Sequence, residues 1–444
     1  MQLRTGVLAC ALLAAAAPFD ATASAQTTDV QALRQEIEQL RQEFAARLAA
    51  LEARLGSAQG APAAPAAATP SAPPQQTAEV PPGAAGAGGP GGALPVYGNV
   101  AAASKIFNPD IAVIGNFLGA AGRNTVNPGP ALELPESEAS LQAIVDPYAR
   151  ADFFMSFGEQ GVDVEEGYLT LPTVPGGLLV KVGKMRAAFG KVNTFHSHQI
   201  SWTDLPMVVN NLLGGEEGVA DAGISAARLI TNPWIFLEAT GQVYRGDSGD
   251  VFRSSKRGDV SYLGHLRAYQ DITESANIDF GASYSRGHTA SPIGPLASVG
   301  AVPTEVRALP DVSSFITDLW GIDATVRWRP LQRAIYHSFV GRSELVWSRR
   351  EQLTGREDAF GYYVSGDYQL ARRWFAGARY DRSARADAAD LRDDGGSLLL
   401  TYWPSEFSQI RGQYRRTRYA EGKNANELLF QFQFSIGAHG AHLF

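Results

Sequence analysis

The sequence has almost no cysteine. Cys10 is the single cysteine among 444 residues. It lies in residues 1–25, which read as a secretory signal peptide with a cleavage site after Ala23-Ser24-Ala25. The mature chain then has no thiol, which excludes disulfides, thiolate catalysis and cysteine-metal sites. Cleavage before Cys10, as in a lipoprotein, leaves an apolar core of only about five residues, shorter than the usual ~7–15.

Strong charge of one sign and long apolar runs are also lacking. The formal net charge is -7, which is mild and argues against a nucleic-acid partner. After the signal peptide no run of about 18 apolar residues occurs, so the sequence predicts no transmembrane helix. The remaining classes are an exported soluble protein and an outer-membrane β-barrel.

Residues 26–56 have the heptad pattern of a coiled coil, with apolar residues three and four positions apart and Asp29 as a candidate helix cap. An extra step of four between two of them is a stutter, which locally unwinds a supercoil. The apolar positions are Val30, Leu33, Ile37, Leu40, Phe44, Leu48, Leu51 and Leu55. A single solvated amphipathic helix is the alternative. We favour a homo-oligomeric coiled coil because nothing else in this segment can bury the apolar seam. Residues 57–94 follow as a Pro/Ala/Gly-rich linker.

Residues 95–444 alternate between apolar and polar side chains in short segments, which is the period of a β-strand. In the last segment Phe430, Phe432 and Phe434 alternate with Gln431 and Gln433. A soluble β-sandwich alternates too, but its strands average about 5–6 residues. These segments run about 10–12 residues, enough to cross a bilayer when tilted. Tryptophans at strand ends and alternating short and long connections also favour an all-β antiparallel transmembrane barrel.

The strand count from the sequence is about fourteen, or sixteen. Fourteen takes residues 141–157 as one strand. Sixteen adds a strand at 111–120 and a partner for it near 97–104. The number should be even because both termini are expected in the periplasm.

Charged residues are frequent on the face predicted to line the barrel interior, and the two signs balance. The basic members are Arg150, Lys181, Arg267, Arg327, Arg342, Arg379, Arg411 and Arg415. Rings of arginine favour anions, but acidic residues on the same face allow the charges to pair and simply to line a wet wall. The best candidate for a basic ladder is the run of Gln409, Arg411, Gln413 and Arg415 on one strand.

His196 and His198 are two positions apart after the strand predicted at 178–188. On an extended segment they point the same way, and Asp204 is a candidate third ligand. Neutral imidazole and carboxylate suit zinc. The alternative is a pair of solvated loop histidines. Ser197 beside His196 does not make a catalytic dyad by adjacency, so we expect no enzymatic activity.

Several motifs resemble one family of outer-membrane proteins. They are NPDIAVIGNFL at 108–118, VDVEEGY at 162–168, PGGLLVKVG at 175–183, the His196-Ser197-His198 triplet, Asp204 before Pro206, GGEEGV at 214–219 and GAHGAHLF at 437–444. The family is plug-less, porin-like and often labelled zinc-regulated TonB-dependent outer-membrane receptor. A looser likeness to phosphate-selective porins extends to the leading coiled coil. TonB-dependent receptors carry a folded plug before the barrel, whereas this chain has a coiled coil and a linker there.

These features predict a porin-like channel that passes small polar or ionic solutes by passive diffusion. We expect it in the outer membrane of a Gram-negative bacterium, as a homotrimer joined by a periplasmic coiled coil and with no cofactor unless zinc binds. One alternative is a zinc-linked uptake barrel or TonB-linked receptor. Another is a structural anchor tethered through the periplasm. The terminal Phe444 resembles the signal read by the barrel-assembly machinery, with chance as the alternative.

Overall fold

Sixteen β-strands form one closed antiparallel barrel, in which each strand pairs with its neighbours in the chain and β1 pairs with β16. The computed structural model describes residues 109–158, 161–290, 315–353, 355–405 and 407–437. The predicted signal peptide, coiled coil and linker, and Phe444, lie outside these ranges. Within them, no helix has the length and apolar character needed to span a membrane.

The strands have the following bounds. They are β1 (Asp110–Arg123), β2 (Leu132–Asp146), β3 (Ala149–Gly158), β4 (Gly161–Val174), β5 (Leu178–Arg186), β6 (Ala220–Leu229), β7 (Phe236–Tyr244), β8 (Ser261–Thr273), β9 (Ala276–His288), β10 (Ile316–Trp328), β11 (Phe339–Gln352), β12 (Gly355–Ala371), β13 (Trp374–Arg385), β14 (Ala388–Ser405), β15 (Ser408–Arg418) and β16 (Asn424–Gly437).

The larger of the two strand counts is confirmed, and the sixteenth strand arises because one predicted strand divides into two. The segment 141–157, predicted as one strand, is a hairpin: β2 ends at Asp146 and β3 begins at Ala149. Pro147 has no amide hydrogen to donate to the sheet. The Asp146 carboxylate accepts the backbone N–H of Tyr148 at 2.7 Å and closes the turn. The strand predicted at 111–120 is β1, and the partner predicted near 97–104 lies outside the described residues.

Strand β16 shows the predicted orientation of its alternating side chains. Leu428 and Ile436 are 58% and 63% exposed on the outside, whereas Gln431 and Gln433 are 1% and 2% exposed. An apolar outer face and a polar inner face are the reverse of a soluble protein and are typical of a barrel in lipid.

Two rows of aromatic side chains cross the outer face of neighbouring strands between β10 and β12. In one row Trp328 of β10 is paired with Phe339 of β11, and Phe339 with Tyr368 of β12. In the other, Trp320 is paired with Trp347 across the same β10–β11 pair. At about 3.3 Å per residue, the two rows are roughly 26 Å apart along β10. That spacing is of the same order as the roughly 25 Å apolar band of a membrane barrel, whose strands are tilted.

The longest connections lie at one end of the barrel, as predicted from the sequence, although that end also has the two-residue connection 386–387. Short turns at one end of the barrel include 147–148, 175–177, 274–275 and 372–373. The opposite end has the long connections 187–219 and 245–260. The structure departs from the prediction in the course of residues 187–219, which fold into the barrel interior instead of forming an external loop. We call this segment the inner loop.

Candidate functional site: the inner loop and its anchors

The inner loop crosses the barrel interior and contacts opposite walls. It contains two short 3-10 helices, Val192–Thr194 and Ser197–Gln199, and one α-helix, α1 (Met207–Leu212). The backbone N–H of Val192 donates to Glu344 on β11 at 2.7 Å, and that of Thr203 donates to Gln413 on β15 at 2.9 Å. Between these two residues, His196 contacts β4. The loop therefore narrows the interior from several sides.

An apolar cluster holds the centre of the inner loop against the wall. Trp202, Val208 and Leu212 are almost fully buried in it. The wall contributes the inward-facing Leu319, Val346, Tyr363 and Leu399. The Trp202 and Tyr363 rings meet edge to face, with centroids 5.1 Å apart. Burial of a large apolar side chain contributes about 1.5–3 kcal/mol, so this cluster is a main reason that the loop stays inside.

Two inward-facing glycines make room for the cluster. A Cβ atom on Gly361 would lie 2.9 Å from the Val208 side chain, and one on Gly321 would lie 2.9 Å from the Phe189 ring. Glycine allows such close approach because it has no side chain. Apolar residues and glycines on the otherwise polar inner face are the sequence signal that could have predicted an inward loop.

Asp204 is a polar anchor of the loop between Trp202 and α1. Its carboxylate accepts hydrogen bonds from Arg379 at 3.0 Å and from Arg415 at 2.7 Å. The Gln413 amide also donates to it. Burial alone would raise the pKa of Asp204, but the two guanidinium groups outweigh it and lower the pKa. Arg379 in turn stacks over the Trp202 ring, with its guanidinium carbon 4.9 Å from the ring centre.

The basic ladder predicted on β15 is used to hold the inner loop. Arg411 donates to the backbone carbonyl oxygens of Ile200 at 3.1 Å and Trp202 at 2.8 Å. It is 4% exposed, and Gln413 is fully buried. Two central members of the ladder, with Arg415, are therefore bound to the loop.

The other basic residues predicted on the inner face have partners on the wall. Arg150 lies 2.6 Å from Asp152, and Arg342 lies 2.6 Å from Asp367. Arg267 and Arg327 both approach Asp279, at 2.7 and 3.9 Å. The Lys181 ammonium lies 4.4 Å from the centre of the Tyr168 ring. The arrangement agrees with the interpretation that these charges pair with one another.

His196 is surrounded by carboxylates. Its Nδ1 lies 2.9 Å from an oxygen of Glu138 on β2 and 2.9 Å from an oxygen of Glu165 on β4. Its Nε2 lies 2.9 Å from Glu166. Burial would lower the pKa of His196, but the three neighbouring glutamates outweigh it and raise the pKa well above its ordinary value. The imidazole thus binds the loop to β2 and β4.

A β-bulge brings two adjacent glutamates to the same side of β4. Phe154 pairs with Glu166 and Met155 pairs with Val164, so Glu165 has no partner on β3. A bulge residue breaks the strict alternation of a strand, which lets Glu165 and Glu166 both reach His196 from the inner face. Two consecutive acidic residues in an alternating segment are the only sequence trace of this bulge.

The structure brings two of the three predicted metal ligands together. The His196 and His198 rings are stacked with centroids 5.8 Å apart. The expected extended segment is instead a 3-10 turn, which His196 caps. Asp204 lies against Arg379 and Arg415. Sequence reasoning missed Glu138 and Glu165, which the barrel places beside His196 from two different strands.

The donor set beside His196 fits a divalent cation. One ligand atom from each of Glu138, Glu165 and His196 lies within 4.8 Å of the others. Glu138 is 4% exposed, and its Oε2 has no hydrogen-bond partner of good geometry despite facing the imidazole. The single hydrogen on Nδ1 can be donated well to only one of the two carboxylates. Two carboxylates and an imidazole are donors that zinc accepts.

The chain is similar to a relative in sequence and to several solved barrels in fold. It is 30% identical over 345 residues to a protein of Aquifex aeolicus (strain VF5) that bears the name uncharacterized protein, with 69% of each chain covered. No family model matches the sequence. Each of three solved structures covers 74% of this chain: OmpT of Vibrio cholerae (13% identity, TM-score 0.49, 97% of its own length), an anion-selective porin from Comamonas acidovorans (10%, 0.47, 99%) and the channel DcaP of Acinetobacter baumannii (11%, 0.47, 96%).

Proposed function

This chain belongs to the same protein family as the Aquifex aeolicus protein, and we propose that it is an outer-membrane channel for small polar or ionic solutes. The observation that supports this most is the closed barrel with an apolar outside, a polar inside and a loop folded across its interior. A barrel that leaves no open edge can sit in lipid, because every strand finds its backbone partners within the sheet.

The outer surface supports a position in the outer membrane. The two aromatic rows that contain Trp320 and Trp328 bound a band of outward residues such as Ile322 and Val326. Aromatic side chains prefer the two membrane–water interfaces, and aliphatic ones the hydrocarbon between them. In this placement the short turns and the coiled-coil segment lie in the periplasm, and that segment joins three copies.

The inner loop supports passage of small solutes only. It occupies the interior from β4 to β15, so a solute has to pass beside it. The charged residues near this path are paired, as in Arg150–Asp152 and Arg342–Asp367. Because these positive and negative side chains are paired, they do not form a ring of charge of one sign. The channel therefore has weak selectivity between anions and cations. No reaction is involved in this proposal, and the chain acts as a passive pore rather than as an enzyme.

Swelling of liposomes tests this proposal. Vesicles that contain the purified full-length protein are placed in isosmotic solutions of sugars of increasing size. We expect rapid swelling with the smallest sugars and a steep decline with size, because the inner loop restricts the path. Vesicles with heat-denatured protein serve as the control. Failure to admit even the smallest sugar would contradict a passive channel.

Zinc-linked uptake is the second candidate function, and the cluster at His196 is the observation that favours it. In this alternative, zinc is the cargo and His196 and His198 bind it on its way through the barrel. Uptake of zinc into the same vesicles, at a rate that exceeds that of magnesium, would support this alternative over an unselective channel.

A further inference from the structure

Four glutamates converge from two strands on one point of the inner loop. Glu136 and Glu138 come from β2, and Glu165 and Glu166 come from β4. Arg186 contacts two of them: its Nη2 lies 3.2 Å from Glu165, and its backbone N–H donates to Glu166 at 2.7 Å. Glu136 accepts a hydrogen bond from the Ser197 hydroxyl. The carboxylates outnumber the fixed positive charges, so the cluster favours an additional cation.

The distances within the cluster are close to those that a metal ion requires. Zinc binds nitrogen and oxygen ligands at about 2.0–2.2 Å, which separates the ligands of a tetrahedral site by about 3.3 Å. His196 Nδ1 lies 2.9 Å from each of the two facing carboxylate oxygens. His198 Nδ1 lies 3.4 Å from the Glu138 oxygen. The facing atoms of Glu138, Glu165 and His196 all lie within 4.8 Å of one another, so side-chain adjustments would bring these three to the spacing of a tetrahedral site.

The remaining imidazole nitrogen already has the partner that a metal ligand needs. His196 Nε2 lies 2.9 Å from Glu166, so it can donate its hydrogen to this carboxylate while Nδ1 faces the ion. Metal-bound histidines commonly donate their second ring hydrogen to a carboxylate, which fixes the ring and makes the ligand more basic.

We propose that Glu138, Glu165 and His196 form a binding site for one zinc-type divalent cation. The site joins the inner loop to β2 and β4. His196 and Glu138 are 1% and 4% exposed, so the bound ion is a resident one that fixes the loop rather than a cargo that passes. This inference deepens the proposed channel function. It rests on that function only for the effect of the bound ion on solute passage.

Zinc titration of the full-length protein in detergent, measured by calorimetry after metal removal, tests the site. We expect one zinc ion per barrel. Glu138→Gln keeps the shape of the side chain but removes its charge, and we expect at least a tenfold loss of affinity. Glu166→Gln changes only the group behind the ligand, for which losses of about 10–100-fold are typical. His288→Gln, which alters a histidine paired with Asp259 elsewhere, should leave the affinity unchanged.

Two results would overturn the proposal. One is equal zinc affinity in the wild type and Glu138→Gln. The other is a loss of affinity in Asp204→Asn but not in Glu138→Gln, which would restore the ligand set expected from sequence. Should Glu138→Gln not fold, the visible spectrum of the cobalt-loaded wild type decides, because tetrahedral nitrogen and oxygen ligands give intense bands and an octahedral aqueous ion gives weak ones. Zinc binding is measured independently of solute passage, so either proposal can fail alone.

Discussion

Neighbouring residues on one strand face opposite environments in this protein. Phe432 is 36% exposed on the outside of β16, whereas the next residue, Gln433, is 2% exposed on the inside. Period-two alternation was sufficient to predict both orientations, since a β-strand places successive side chains on opposite faces.

This pair of residues gives a matched test of the membrane-facing surface. Phe432→Arg places a guanidinium in lipid, where it costs about 2–4 kcal/mol near the bilayer centre, so we expect a marked loss of folded barrel. Gln433→Arg adds the same group on the inner face, and we expect a much smaller loss. The fraction folded is read from the heat-dependent shift of barrel mobility on gels. Equal losses in the two variants would contradict the assigned faces.

Residue types and their spacing predicted only part of the His196 cluster. The spacing of His196 and His198 predicted a shared orientation, and the two rings do stack. Glu138 and Glu165 could not be assigned from the sequence, because their approach depends on the curvature of the barrel and on the bulge in β4. Asp204 has the right chemistry for a metal ligand, but two arginines from distant strands bind it instead.

The inner loop is the element that distinguishes this barrel from an empty one. Its length was evident from the sequence, but its inward course was not. An amphipathic segment between two strands can fold over the rim or into the interior. The inward course is favoured here because Gly361 and the apolar inner residues Leu319 and Val346 give α1 a surface to pack on.

We expect the Arg379 side chain to control how readily the inner loop leaves the barrel wall. It bonds both Asp204 and Asp381 and covers the Trp202 ring. Arg379→Gln should leave the barrel folded but increase hydrogen–deuterium exchange in peptides from the inner loop, because local opening requires less free energy once a buried charged partner is lost. Arg342→Gln, which breaks a wall pair with Asp367, is the matched control.

The exchange pattern separates local from general effects. Enhanced exchange confined to the inner loop in Arg379→Gln, and unchanged exchange of this loop in Arg342→Gln, is the expected result. Similar changes in both variants, or none in the loop, would show that Arg379 does not anchor it.

The whole molecule combines a barrel with an N-terminal segment of different composition. The sequence was sufficient for the fold class, because alternation, segment length and aromatic position all point to a membrane barrel. The strand count was ambiguous because the β2–β3 turn is only two residues, Pro147 and Tyr148, within an otherwise continuous alternating segment.

Assembly of several copies is predicted from the coiled-coil segment alone. The spacing of Leu33, Ile37 and Leu40 predicts an apolar seam that needs partner helices for burial, whereas the barrel closes on itself. Deletion of residues 28–56 should leave a folded barrel that migrates as a monomer on native gels, while the full-length protein migrates as a trimer. A deletion variant that remains trimeric would show that the barrel walls carry the assembly.

Single-channel recording in planar bilayers tests the central claim most directly. The full-length wild type is compared with Val208→Asp, which places a carboxylate in the apolar cluster beneath the inner loop. An unpaired buried charge is strongly unfavourable, so the loop should leave its position against the wall. We expect stepwise openings in both proteins, with larger steps in the variant. Silent membranes with both proteins would contradict a channel, and equal step sizes would contradict the role of the inner loop as its constriction.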